Sequence, residues 1–452
     1  MRAYDWQPKS MRSKNYAAAR FPLCLQRIAW SAQRGAGGSA VMESGFREQI
    51  SRVSRISAAF ILVPLLMVIS LHPVSAQRTA SAGRVAVTVE NGLAIAREDE
   101  TIELPWGLLL EHLSTASPSR VRVVDDRGSE VTSQIIDADA NGIPELLIFQ
   151  ASFWPNERKQ FFLEDVAPAA KPVSRVHVMH DVPRDDVAWE SDRAAFRIYG
   201  EGLKKTPDSM SSSGIDVWEK RVRTPILEKW YSKTHGSYHV DTGEGADFFE
   251  VGQTLGTGGT ALWRRDSLYR ADNFKAYRIT ADGPIRASFE LRYDPWSAGD
   301  VTVSEVKKFS IDAGQNLYRE ESTFAAGKPG EITYAIGLVK RPGMKGTENK
   351  DGSWGWLSGW GPIVPKGGGH GELGTAVLLP RDRILDWKET PTHYLAISQA
   401  VSGQPVVHYI GAGWTASGDF PTPQSWWKYL DEYSMRIASP VRVTFGPARA
   451  SR

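Results

Sequence analysis

Cysteine is almost missing from this chain: its 452 residues hold one, Cys24. An internal disulfide is therefore excluded, and the fold rests on burial and hydrogen bonding alone. Long amphipathic helical patterns, repeats of fixed period and strand–helix alternation are also missing, which argues against a doubly wound nucleotide-binding fold. There is no GxSxG elbow for a hydrolase serine, no HExxH zinc helix, and no Lys-Ser/Thr ending to the glycine-rich GQTLGTGG. A concentrated basic run is lacking too, so the counterion release that drives nucleic-acid binding has no source.

The termini account for the small positive charge. Arg52 and Arg55 precede the apolar run ISAAFILVPLLMVISL, and PVSAQ follows with Val74 and Ala76 suited to signal peptidase cleavage before Gln77. This reads as a signal peptide over 42–76, starting at Met42, with 1–41 an upstream extension that is not part of the protein. The run nears the lower limit for a membrane span, but the small-residue site favours cleavage, with no stable membrane anchor left afterwards. The expected location is the periplasm or the outside of the cell. Residues 1–76 carry ten Lys/Arg and three Asp/Glu, so the balance of 54 to 52 becomes 44 to 49, a net charge of −5. Cys24 is lost with the leader, leaving no cysteine for a lipid.

What remains is rich in short β-branched and aromatic runs between turn residues, among them RVAVTVEN, ELLIFQ, ASFELRYDP, GTAVLLP and PVVHYIGAGW. Strands dominate, and only WGLLLEHLS and WWKYLDEYS suggest helices. The Ala/Pro-rich VAPAAKPVS at 166–174 marks a domain edge. The predicted class is all-β: a small β-sandwich over 77–172, then a large, supersandwich-like two-sheet domain over 173–449.

Two segments carry candidate chemistry. In DADANGIPELLIF, Asp137, Asp139, Asn141 and Glu145 occupy calcium-loop positions one, three, five and nine, but Ile148 stands where a bidentate Glu is required. An Asx turn leading into a strand is the preferred reading, with calcium the only cofactor considered. In HGSYHVDTGEGADFFEVGQTLGTGG, residues 235–259, His235 and His239 are four apart and no third zinc ligand is clear. On a strand, Lys233, His235, Ser237, His239 and Asp241 share one face and Tyr238 takes the other. That face is a lined cleft or a solvated surface. In a cleft, Asp241 could orient His239 as an acid–base residue, and Glu244 and Asp247 could supply hydrolytic carboxylates.

The 16 tryptophans less Trp6 and Trp30 of the leader leave 14, and DGSWGWLSGWG places Trp354, Trp356 and Trp360 among Gly and Ser. Packing and stacking against sugar rings are evenly matched there. Trp263 with Arg264 and Arg265, and His370 in PKGGGHGELG, are further binding candidates, with surface solvation as the alternative.

Three stretches together, DADANGIPELLIFQASF, DDVAWESDRAAFRIYG at 185–200 and YHVDTGEGADFFEVGQTLGTGG, resemble a secreted bacterial family described as a domain of unknown function, DUF 4861. Mild departures are Ser191 where the family more often has Asn, and Phe249 where it has Tyr. The resemblance implies processing of uronate-rich polysaccharides such as pectin and ulvan, by a dehydratase or lyase. β-Elimination would then place Arg264 or Arg265 at the uronate carboxylate, His239 held by Asp241 as base, and Tyr238 or His235 as acid. A glycoside hydrolase using Asp241, Glu244 or Asp247, and a non-catalytic carbohydrate-binding protein, are the alternatives.

Overall fold

The computed structural model describes residues 83–206, 211–233, 237–363 and 369–450. The leader, the expected signal peptide, Cys24 and His235 lie outside the described residues. The fold is all-β.

The first sandwich follows from period-two patterning. In the strand Gly83–Glu90, Val85, Val87 and Val89 are fully buried. They face Ile102 and Leu104 of Arg97–Pro105 and Leu147 and Phe149 of Leu146–Phe153, across a core closed by the helix Trp106–His112. Each such side chain contributes about 1.5–3 kcal/mol on burial. The final strand, Arg442–Ala450, pairs antiparallel with Gly83–Glu90. The small sandwich thus uses both ends of the described chain, although sequence order assigns 442–449 to the larger region.

The larger sandwich sets an eight-stranded sheet against two five-stranded sheets. Phe289, Phe309 and Val377 of the eight-stranded sheet meet Trp189 and Phe196 of one small sheet and Leu262 and Ile336 of the other in one continuous core. A parallel bridge between Ile215 and Gly256 joins the two smaller sheets. Gly256 sits there at φ 59°, and a Cβ would stand 2.1 Å from the Ile215 carbonyl oxygen. The glycines of GQTLGTGG at this bridge serve backbone packing rather than the close approach of a ligand.

The helix Pro423–Ala438 opens with a capping box, in which Thr422 and Ser425 satisfy each other's backbone N–H groups. Its apolar stripe of Trp426 and Leu430 covers Trp356 and Trp360, which lie on the strand Trp354–Pro362 and are 3% and 6% exposed. The Trp356 indole donates to Asp431 at 2.8 Å, and Trp360 to Glu372 at 2.9 Å. Trp354 packs edge-on against Tyr409. The sugar-platform reading of Trp356 is therefore overturned: a strand alternation hidden among glycines, plus a covering helix, buries it, while Trp354 is half-buried against the same cluster. Trp356→Ala should cost about 3–5 kcal/mol in a denaturant titration; an unchanged midpoint would return this tryptophan to the surface.

Candidate active site

Three strands of one five-stranded sheet carry polar residues at alternate positions: Asp186 and Glu190, Arg197 and Tyr199, Asp216 and Lys220. Alternation puts these on one face, while Val187, Trp189, Phe196, Ile198 and Val217 enter the main core. The register sets Arg197 opposite Asp216 and Tyr199 opposite Asp186. A polar sheet face of this kind needs a cover that satisfies it.

Residues 221–233 and 237–252 supply that cover, and a buried ion pair fixes where it starts. Lys220 Nζ donates to Glu190 Oε2 at 2.5 Å and to the Ser191 carbonyl at 2.8 Å. Glu190 Oε1 then accepts from the backbone N–H groups of Ile226 and Leu227 at 2.7 and 2.9 Å, which anchors the short helix Leu227–Tyr231. Beyond it, Ser237–His239 form a 3₁₀ turn. Tyr231 and Tyr238 both stack on Trp218, with ring centroids 5.1 and 5.4 Å away. Tyr238 and His239 end up adjacent in one cleft, their rings 4.5 Å apart. Over the described residues 237–241 the strand reading is corrected, and with it the expectation that Tyr238 faces away from His239.

The cleft has a volume of about 340 Å³ and is lined by Arg184, Asp186, Arg197, Tyr199, Tyr238, His239 and Asp247, among others. Arg197 organises its floor. Its Nη2 reaches Asp216 Oδ2 at 2.5 Å and Asp247 Oδ2 at 3.0 Å, and its Nε reaches Asp216 at 3.0 Å. Tyr199 and Trp218 also donate to Asp216 Oδ2, at 3.1 and 3.2 Å. His239 is held differently from the sequence expectation. Its Nδ1 lies 2.7 Å from the Asp247 backbone carbonyl and 3.6 Å from Asp247 Oδ2. A carbonyl only accepts, so Nδ1 carries the hydrogen and Nε2 presents its lone pair in the neutral ring. The His239 side chain is 48% exposed, whereas the carboxylates beneath it are buried.

Burial governs the titration of those carboxyls. It pushes Asp247 well above the ordinary range, assisted by the charge of Asp216 and opposed by Arg197. It pushes Asp186 up to about 7, again against Arg197. Asp186 is 1% exposed and its Oδ1 has no hydrogen-bond partner; Tyr231 Oη lies 3.5 Å from Oδ2. The stability contributed by a protonated Asp186 is complete below its ordinary 3.8 and is lost as pH rises through about 7. Between pH 4 and 7 the wild-type unfolding free energy from denaturant titrations should therefore fall more steeply than that of Asp186→Asn, by up to about 1.4 kcal/mol per pH unit. Parallel curves would mean that Asp186 ionises like a surface aspartate.

Several sequence candidates sit elsewhere. Asp241 pairs with Arg221 and accepts from the N–H groups of Gly243 and Gly245 at 2.8 and 3.0 Å, so it closes a turn and does not orient His239. Gly245 is obligatory there: φ is 100°, and a Cβ would fall 1.9 Å from the Glu219 carbonyl oxygen. Glu244 is paired with Lys229 and Lys233 and does not line the cleft. Arg265 occupies, with Asp266, a left-handed two-residue hairpin turn, and Arg264 bonds Asp300 at 2.9 Å. Trp263 packs beside that hairpin beneath Lys388. His370 stacks on Phe248 at 3.8 Å. None of these four lines the cleft.

Asp137, Asp139 and Glu145 do converge, with oxygens within 4.8 Å of one another. Asp137 accepts from the N–H groups of Asn141 and Gly142, Asp139 from that of Asn141, and Glu145 from that of Ala138, at 2.7–3.2 Å. These bonds close an Asx-type turn, whose three carboxylates also form a group that could hold a metal ion.

The residues that sequence reasoning missed are Asp186, Arg197, Tyr199 and Asp216. The signal for the first three was the polar alternation Asp186-x-Ala188-x-Glu190 and Arg197-x-Tyr199 within a stretch quoted only for its resemblance.

The family described as a domain of unknown function, DUF4861, matches residues 89–443. The chain belongs to this family. A Formosa agariphila chain named uncharacterized protein P7 is 34% identical over 378 residues, covering 79% of this chain and 92% of that one. Among solved structures, a glycosyl hydrolase family 38 protein from Enterococcus faecalis matches at 11% identity and TM-score 0.44, over 81% of this chain and 49% of that one. An α-mannosidase from the same species matches at 11% and 0.39, over 82% and 46%. The chain spans about half the length of these two structures, and a likeness so distant carries nothing about chemistry.

Proposed function

We propose that this DUF4861 protein is a carbohydrate-active enzyme that performs β-elimination on uronate-containing oligosaccharides in the cleft over Arg197. The observation that carries the reading is His239: Nδ1 is tied to a backbone carbonyl, and the ring stands half exposed beside Tyr238. The sugar class comes from the resemblance of the sequence.

His239 Nε2 removes the proton from the carbon next to the carboxylate. The released electron pair forms the C4–C5 double bond, the C4–O4 bond breaks, and O4 takes a proton from Tyr238. Burial raises the Tyr238 hydroxyl above its ordinary value, so it is a neutral donor. Arg184 takes the role expected of Arg264 or Arg265. It lines the cleft, and Asp181 occupies one of its five N–H donors, at 2.9 Å. No nucleotide or redox group enters this chemistry.

One observation favours a second reading, glycoside hydrolysis: Asp186, which lines the cleft together with Asp247, has a buried carboxyl oxygen without a partner and is pushed up to about 7. Incubation of residues 77–452 with uronate oligosaccharides separates the two. Elimination yields a conjugated product that absorbs in the ultraviolet, without new reducing ends for a dehydratase and with them for a lyase. Reducing ends alone would transfer the assignment to the carboxyls, and binding with neither product would make the protein a lectin-like module.

A further inference from the structure

A larger cavity, about 460 Å³, lies where the small sandwich, the eight-stranded sheet and the helix Pro423–Ala438 meet. None of its lining residues borders the His239 cleft. Its size falls within the ~300–1,000 Å³ of small-molecule sites, which favour such junctions.

Its walls are aromatic and polar at once. Tyr409, from the strand Pro405–Trp414, and Tyr433, from the helix, meet edge to face at 5.5 Å. Neither hydroxyl has a hydrogen-bond partner among the described residues. Arg436, one helical turn beyond Tyr433, lays its guanidinium over that ring at 4.9 Å. Its side chain is 11% exposed, yet the nearest carboxylate oxygen, Glu100 Oε2, stands 3.8 Å away, beyond hydrogen-bond reach. The guanidinium therefore keeps hydrogen-bond donors to offer a ligand in the cavity. The other charges are spent: Arg286 bonds Asp312 at 2.6 and 2.8 Å and pairs with Glu103 at 2.7 Å.

We infer that this cavity is a second binding site, for an uncharged sugar residue of a polysaccharide. Lining arginines and carboxylates come in near-equal numbers, so the cavity has no field selective for an anion. Two tyrosine faces with free hydroxyls, and an arginine lacking an acceptor, match a pyranose with its apolar C–H face and its hydroxyl rim. Such a site would hold a neutral stretch of polymer while the cleft acts on another, raising the local substrate concentration.

Native affinity electrophoresis tests this on residues 77–452, in gels containing arabinan, galactan or xyloglucan, with polygalacturonate as the acidic comparison. The wild type should be retarded by at least one neutral polymer. Tyr409→Phe/Tyr433→Phe, which removes only two oxygens, and Arg436→Met, which keeps the stem, should each weaken that retardation about tenfold, while His239→Ala leaves it intact. Three results would overturn the inference: no retardation by any neutral polymer, retardation by polygalacturonate alone, or retardation that His239→Ala abolishes and the tyrosine double variant spares. Should Arg436→Met fail to fold, the phenylalanine pair decides the matter. The cleft assignment stands or falls separately, through product formation.

Discussion

His239→Ala is expected to lower kcat/KM on uronate oligosaccharides by about 10²–10⁴-fold, the usual contribution of a positioned base. The loss should fall on kcat more than on KM, because the imidazole acts on a proton rather than on the bulk of the sugar. Folding should be nearly untouched: the side chain is half exposed, and its bond to the Asp247 carbonyl is one of several that hold the turn, including the Asp247 N–H to the Tyr238 carbonyl at 3.0 Å. The measurement is initial velocity against substrate concentration, with a denaturant titration of both proteins alongside. Asp241→Asn makes the contrast. Sequence reasoning made Asp241 the partner of His239, but it closes a turn with Arg221, Gly243 and Gly245, so the variant should keep most activity and lose a little stability. Full activity in His239→Ala would remove the base and, with it, the elimination reading.

Arg197→Met should be the most destabilising change in the site. It leaves Asp216 and Asp247, 0% and 3% exposed, without the guanidinium that both accept from. Breaking a buried pair from one side costs about 3–5 kcal/mol, since the stranded charge loses solvent and partner together. Its pH dependence has a definite sign. Arg197 opposes the upward pull of burial on both carboxyls, so its removal raises them further. Groups raised in the folded state favour folding when protonated, and that contribution is lost as pH rises through the folded value. The deficit of Arg197→Met should thus be larger at pH 8 than at pH 5 in paired urea titrations. A deficit equal at both values would mean that the protonation of the two carboxyls does not depend on Arg197.

The class of the fold was legible because alternation is a local property. Val85, Val87 and Val89 announce an inward face from eight consecutive residues, and the same pattern recurs throughout the chain. The helix Pro423–Ala438 was visible in WWKYLDEYS for the same reason. The 233–241 segment misled, because polar residues at period two also suit a turn that happens to be rich in them; Ser237–His239 form a 3₁₀ turn held by contacts with residues 218 and 247. The tryptophans of DGSWGWLSGWG misled for a related reason. Glycines beside them suggested an open loop, but Gly374, on the neighbouring strand, leaves room for the Trp360 and Trp426 rings, and a Cβ there would stand 2.6–2.8 Å from them.

By itself the sequence determined the all-β class, the family through its three motifs, and that His239, Tyr238 and Asp247 belonged to one chemically charged neighbourhood. Tertiary structure decided which carboxylate stands beside His239, that Tyr238 shares its cleft, and that Asp186, Arg197, Tyr199 and Asp216 lie beneath them. The reason is distance along the chain. Arg197 and Asp216 are 19 residues apart, and Arg197 and Asp247 are 50 apart. Strand registry joins the first pair and a covering loop the second, and both depend on which sheet face is left for a cover once the other has entered the core.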